Sequence, residues 1–203
     1  MRIWAFPSFY PFEHPGLRWT GIFAHRQYKA LAALGAKIAV VQPVLWYPPA
    51  PFHLLNDNWK ALSECPYPDE RDYDGLKVYH PRIANMKPGR LFRKPYADRY
   101  IEAIVNFFRQ QKIDLKESTD IFYAQWVPDA WMVQRAAKQL GIKSAVLVVG
   151  DDVLIVPQSG KPQMNVFIET MTGADIRLSV AGYLANEANK LLPAPVPFSI
   201  VRR

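Results

Sequence analysis

The sequence predicts an α/β fold, a doubly wound, mostly parallel Rossmann-like sheet of about seven strands with helices on both faces. Three observations predict it. Short segments of β-branched and small apolar residues alternate along the chain with segments whose apolar residues recur at helical spacing, the order of βαβ crossovers. The run Ala145–Val149 is apolar without alternation, which marks a strand covered on both faces, and Gly150 ends it. Finally, 203 residues with 50% hydrophobic content can bury one large core, so residues 1–203 are expected to form a single domain.

Taken in order, Arg2–Phe6 is a short apolar strand closed by Pro7. The loop 8–19 carries four aromatics with Gly16 and Arg18, and Thr20 stands where a helix N-cap belongs. The next helix runs from about Gly21 to Leu34, with Phe23, Ala30, Leu31 and Leu34 as its expected buried face and Gly35 as a left-handed stop. Lys37–Gln42 is the second strand, and the unit must be a right-handed crossover. Proline-rich 43–74 resists assignment beyond one helical turn near Asn56–Leu62, and Gly75–Pro81 is a third strand. Ile101, Ile104, Val105 and Phe108 mark one face of a helix over 96–111. Asp120–Trp126 is a strand, and Pro128 opens a helix to Leu140 with Ala130, Val133, Ala137 and Leu140 inward and Gly141 as its stop. The strand Ser144–Val149 follows. A helix near Asn165–Thr172, a strand over 175–181, a helix over 183–191 and a strand over 198–201 complete the alternation. No repeat of 20–50 residues is visible.

The formal charge of +7 permits an anionic partner such as phosphate, a membrane surface or nucleic acid, without naming one. A single cysteine, Cys65, excludes an internal disulfide and a cysteine-based zinc cluster, and makes a reducing, cytoplasmic setting the default. No run of about 18 apolar residues could span a bilayer. The N-terminus has one basic residue and too short an apolar run for a secretory signal.

Candidate sites follow from the carboxyl ends of the strands, where ligands sit in open α/β sheets. Gly16, Arg18 and Gly21 precede a helix whose free amides and positive dipole end could hold a phosphate, although neither GxGxxG nor GxxxxGK[ST] is present. Gln125, Trp126 and Asp129 lie where a strand runs into a helix. Trp126 could stack on a sugar or simply pack under a loop, and Asp129 could face a ligand or complement the helix dipole. Gly150, Asp151 and Asp152 end the central strand, where paired acids could bind Mg²⁺, accept backbone N–H bonds in a turn, or bind sugar hydroxyls. No third metal ligand is identifiable from spacing, and the histidines show neither HxH nor HExxH. Residues 82–99 are the most basic stretch, with Arg82, Lys87, Arg90, Arg93, Lys94 and Arg99. Their interleaving with Leu91, Phe92 and Tyr96 suits either a solvated loop or contact with anionic lipid. No nucleic-acid-binding module is recognised, so nucleic acid is not an expected partner.

The stretch 7–43, PSFYPFEHPGLRWTGIFAHRQYKALAALGAKIAVVQP, resembles the start of the retaining glycosyltransferases of family 4. VYHPRI resembles that family's strand end, YAQWVPDA its HxHWxxPDG segment, VLVVGDDV its xxHGxDV turn, and LPAPVPFSIVRR the stretch before its interdomain crossover. The resemblance implies a type B architecture of two Rossmann-like domains, with this chain as the N-terminal, acceptor-side half and a C-terminal donor-binding domain absent from it. It further implies a nucleotide-sugar donor for the full enzyme, no cofactor bound by this half, and a saccharide or lipid-linked acceptor. The loop of Gly16, Arg18 and Gly21 would approach the donor diphosphate, while Gln125, Trp126, Asp129, Gly150, Asp151 and Asp152 would line the acceptor cleft. The basic segment would meet an anionic acceptor or the inner face of the membrane, and this half alone would be inactive. Two departures stand out: Gln125 and Val149 occupy positions where the family often has histidine, and neither can titrate. Against this stand a non-catalytic nucleotide- or sugar-binding module and a metal-dependent phosphoryl-transfer or receiver-like domain built on Asp151 and Asp152.

Overall fold

A computed structural model describes residues 1–12, 21–46, 67–84 and 95–201. In chain order the first half contains β1 (Arg2–Phe6), α1 (Ile22–Ala33), β2 (Lys37–Val41), β3 (Val44–Trp46), β4 (Glu70–Tyr73), β5 (Leu76–Tyr79) and β6 (Arg82–Ala84). The second half contains α2 (Tyr96–Gln110), β7 (Asp120–Gln125), α3 (Val127–Leu140), β8 (Lys143–Val148), the single turn α4 (Asp151–Leu154), α5 (Lys161–Gly173), β9 (Ile176–Ser179), α6 (Gly182–Lys190) and β10 (Ser199–Ile200).

The main sheet has eight strands in the order β10-β9-β8-β7-β1-β2-β5-β4, all parallel except β4. From β1 the chain winds outward through β2, then returns to β1's other side at β7 and winds outward again. The reversal between β1 and β7 is the topological switch point of the fold. Alternation along β1 divides the core. Trp4 and Phe6 face α2 and α3 with Ile104, Phe108 and Phe122, while Ile3 and Ala5 face α1 with Tyr28 and Val40. The unbroken apolar run in β8 is explained the same way, Val146 and Val148 entering one core and Ala145 and Leu147 the other. Each such large apolar side chain contributes roughly 1.5–3 kcal/mol by leaving water.

At the opposite end of β1, Asp120 fastens the sheet. It accepts from the Arg2 guanidinium, the Trp4 indole N–H at 3.0 Å and the Lys116 amide at 2.8 Å. Burial pushes its carboxyl upward, but these donors together carry it below the ordinary aspartate value.

The structure departs from the sequence expectation in several elements. The sheet has one strand more than the expected seven or so, because β4 was not foreseen, and β3 and β6 form a separate two-stranded parallel sheet. The buried face of α1 is Ala24, His25 and Tyr28, whereas Phe23 and Leu34 are 71% and 84% exposed and Ala30 is also exposed. Tyr28 fills the space against the sheet, and the polar His25 is tolerated inside because both ring nitrogens are paired. The helix starts from Gly21, in the left-handed conformation. The expected Thr20 cap and the turn near 56–62 lie outside the described residues.

Candidate functional site

At the switch point, the carboxyl ends of β1, β7 and β8 and the amino end of α1 enclose a cleft of ≈ 390 Å³. Its walls are Pro7, Ser8 and Phe9 after β1, Gly21, Phe23 and Ala24 at the head of α1, Gln125 and Trp126 at the end of β7, and Val149 after β8. Three large rings here are exposed although their neighbours are buried: Phe9 at 60%, Phe23 at 71% and Trp126 at 36%. The cleft is therefore mostly apolar with a few polar groups, the composition of a small-molecule site.

The cleft's shape depends on two unusual pieces of backbone. Gly21 has φ +76, and a Cβ there would stand 2.2 Å from the carbonyl oxygen of Phe9, so the head of α1 presses directly on the loop after β1. Trp126 has φ 72 and ψ 122, a conformation that non-glycine residues rarely adopt. Such a residue costs about 1–3 kcal/mol and tends to occur where a side chain must be aimed. It turns the end of β7 into α3, whose first turn holds Pro128. Beside it, the side chain of Gln125 crosses to donate to Gln27 of α1, tying together the two walls.

Of the predicted acids, Asp151 is exposed at the first position of α4. Asp152 departs from the expectation of a cleft-lining carboxylate. It is 0% exposed and accepts from the amides of Val149 at 3.0 Å and Gly150 at 2.8 Å. Burial raises its carboxyl, with those amides acting the other way. Its work is to hold the turn in which Gly150 adopts φ 152, and the turn reading of this acid is the one that the geometry supports. Asp129, in the first turn of α3, is half-buried beside Ser8. Burial pushes its carboxyl above the usual value and the Ser8 hydroxyl works against that shift. Among the described residues, no group of three or more His, Cys, Asp or Glu could hold a metal ion.

Gly16 and Arg18 lie outside the described residues, as do Lys87, Arg90, Arg93 and Lys94. The two described cations of the basic stretch are engaged within the fold. Arg82 donates to Asp69 at 3.0 Å and to the Tyr67 carbonyl, and Arg99 lies over the Tyr96 ring at 6.0 Å.

A further polar chain behind the cleft was not foreseen. The Tyr10 hydroxyl donates to Nδ1 of His25 at 2.7 Å, and the His25 Nε2–H donates to Asp74 at 3.1 Å. Lys29 also donates to the Asp74 carbonyl at 2.7 Å, and His25 and Lys29 together hold the Asp74 carboxyl below its usual value. This chain fastens the loop after β1 to α1 and to the β4–β5 hairpin. Ser8, Phe9 and Phe23 were likewise missed as cleft residues, although the position of the first two just beyond Pro7 was a signal.

No protein-family model matches the chain. It is 26% identical over 194 residues to TuaC of Bacillus subtilis (strain 168), whose name makes it a teichuronic acid biosynthesis glycosyltransferase; the match covers 94% of this chain and 47% of that protein. The chain thus spans about half the length of this curated relative. Among solved structures, a sucrose-phosphate synthase from Thermosynechococcus elongatus matches 99% of this chain and 88% of its own at 10% identity and a TM-score of 0.59. The lipopolysaccharide outer core galactosyltransferase WaaB matches 100% of this chain and 46% of its own at 9% identity and a TM-score of 0.55. The fold is accordingly the mostly parallel, Rossmann-like α/β arrangement of GT-B-like proteins.

Proposed function

We propose that this chain is the acceptor-side half of a retaining, family 4-like glycosyltransferase, which moves a sugar from a nucleotide-sugar donor to a hydroxyl of a saccharide or lipid-linked acceptor. The observation that carries the reading is the switch-point cleft, where Trp126 is held in a costly backbone conformation with part of its ring open beside Phe9 and Phe23. Aromatic faces of this kind stack on the C–H face of a pyranose while polar groups at the rim take its hydroxyls. Similarity to TuaC along nearly the whole chain supports the same reading.

In this reading the donor diphosphate approaches the loop of Gly16, Arg18 and Gly21, and the nucleotide sugar is held by a second, donor-binding half. Gln125 and Val149 cannot serve as acid or base, so these positions orient and shape the site. The stretch 82–99 meets an anionic acceptor or membrane surface through Lys87, Arg90, Arg93 and Lys94. Among the described residues no helix is long and apolar enough to cross a membrane.

The test separates binding from transfer. The 203 residues should bind simple glycosides, detected by saturation-transfer NMR, and Trp126→Ala should weaken that binding about tenfold, the order of one lost aromatic stack. Unfolding midpoints should barely move, since alanine keeps the same backbone strain. Nucleotide release from UDP- and GDP-sugars should require a donor-binding half joined to this chain. Turnover by the 203 residues alone would overturn the division of labour, and unchanged glycoside binding in Trp126→Ala would overturn the placement of the acceptor.

A further inference from the structure

The β4–β5 hairpin at the edge of the main sheet grips the loop that forms one wall of the cleft. Arg71 of β4 donates to the Pro11 carbonyl and lies over the rings of Phe12 and Tyr73 at 5.0 and 5.1 Å. A second grip is the chain that runs from Tyr10 through His25 and ends on Asp74, in the hairpin turn. Phe9, which lines the cleft, is flanked along the chain by the buried Pro7 and by Tyr10, itself 2% exposed. Its place therefore depends on how firmly those neighbours are held. The hydrogen order of the second grip is dictated from its outer end. An ionised carboxylate only accepts, so Asp74 requires the hydrogen of a neutral imidazole on Nε2, and Nδ1 is left with a lone pair. The Tyr10 hydroxyl, which burial keeps protonated, then has its acceptor at 2.7 Å. Without the Asp74 oxygen the imidazole can carry its hydrogen on either nitrogen. In the Nδ1–H form the Tyr10 hydroxyl must accept, and its own hydrogen loses the acceptor it has. A buried donor in that state is costly, and the loop escapes the cost by shifting.

Resting on the reading of the cleft as a saccharide site, we propose that Asp74 is a positioning residue for that site: from the hairpin turn it sets the hydrogen order of His25, through which Tyr10 holds Phe9 in place against the sugar ring. Asp74 does not line the cleft, and its side chain is 60% exposed. Exposed ion pairs contribute little on their own. The weight of this carboxylate lies in the order it imposes on two buried groups, His25 and Tyr10. Lys29 steadies it there, donating to the Asp74 carbonyl at 2.7 Å and standing 3.4 Å from the carboxylate. The edge hairpin is thus a part of the binding apparatus that meets no ligand.

The experiment is a double-mutant cycle on the 203-residue chain at pH 7.5. Asp74→Gly removes the carboxylate and accepts the φ of 48 without strain, and Tyr10→Phe removes the hydroxyl while keeping the ring. Affinities for methyl glucoside, galactoside and mannoside are read by saturation-transfer NMR. Long-range proton–nitrogen correlations report which His25 nitrogen is protonated, and carbon-labelled phenylalanine spectra, assigned with Phe9→Leu, report the Phe9 ring. Each single substitution should weaken the tightest of the three glycosides about fivefold, and the double variant should also lose about fivefold, not the product of about twenty-fivefold that independent effects give. In Asp74→Gly a share of the His25 hydrogen should move to Nδ1 and the Phe9 signals should shift. Asp74→Asn, whose amide oxygen can accept from Nε2 and which tolerates the left-handed backbone, should restore both signals and bring affinity within about twofold of the parent. Asp72→Asn, on the same hairpin, should change none of these, and Asp74→Ala repeats the removal if the glycine variant folds poorly. Losses that multiply, a His25 hydrogen that stays on Nε2 once the carboxylate is gone, or unmoved Phe9 signals overturn the positioning role and leave the saccharide reading standing. If the parent binds none of the glycosides, the saccharide reading fails, and the nitrogen and ring signals still decide whether Asp74 positions Phe9.

Discussion

At the scale of single residues, the ends of the strands show how differently three carboxylates in similar positions are used. Asp152 is enclosed and committed to the amides of Val149 and Gly150, Asp151 stands in water, and Asp129 is half-buried beside the Ser8 hydroxyl. Burial and amide partners explain the first, and the sequence separates none of them, since all three are aspartates near a helix start. The committed one has a measurable consequence. Asp152→Ala leaves two amides without their acceptor and is expected to cost about 2–4 kcal/mol in urea unfolding, while Asp152→Asn, which keeps a neutral acceptor, should cost about half as much. An alanine variant as stable as the parent would show that the turn holds without the carboxylate.

At the scale of elements, the close approach of α1 to the loop after β1 is the most sensitive joint of the cleft. Gly21→Ala would drive a methyl to 2.2 Å from the Phe9 oxygen at a φ of +76. The strained backbone costs about 1–2 kcal/mol and the clash a further 1–3 kcal/mol. Gly35 has φ +88 but open space around it, so Gly35→Ala should cost only the backbone part. Thermal unfolding of the two variants should therefore give a clearly larger loss at Gly21; equal losses would mean that the loop yields freely. The same joint shows what was legible in the sequence. Strands and helices of the β1–α1–β2 and β7–α3–β8 units follow from apolar period and from Gly35, Pro128 and Gly141. The face of α1 did not follow, because Phe23 and Leu34 look like core by composition, while the true core residue is a tyrosine beside a doubly bonded histidine. The hairpin of β4 and β5 was also missed, because Glu70–Tyr73 is charged and lacks strand composition. Its turn, Asp74-Gly75, was the available signal: both residues have positive φ, 48 and 77, as a two-residue hairpin of this type requires. Of the cleft's walls, the strand end at Gln125 and Trp126 and the helix start at Gly21 were legible from fold logic. Ser8 and Phe9 were signalled only by their place just beyond Pro7, and Phe23 not at all, since only three-dimensional packing brings it to the same opening.

At the scale of the whole molecule, acid sensitivity depends on a histidine just after β5, three strands along the sheet from the end of β7. His80 is 2% exposed and donates from Nδ1 to the Pro68 carbonyl at 2.8 Å, leaving Nε2 buried without a partner. Burial holds its pKa down, to about 4 from 6.5. The unfolded chain therefore binds a proton between those values and the folded chain does not, so stability rises with pH across that window and is lost as pH falls from 6.5 toward 4. The effect amounts to about 3 kcal/mol at full extent. His80→Gln should lower stability at pH 7.5, where a Pro68 contact is disturbed, but flatten the loss between pH 6.5 and 4.5. Parallel stability profiles for the two proteins in urea would exclude His80 as the cause.

The two margins of the sheet limit how this molecule can meet others. One margin is β10, only two residues long. The other is β4, whose Glu70 and Asp72 stand in water and flank Arg71. Short or charged edges discourage strand addition by foreign chains. Growth of the main sheet by strand addition is thus disfavoured at both margins, while the rings of Phe9, Phe23 and Trp126 lie open along the row of strand ends between them.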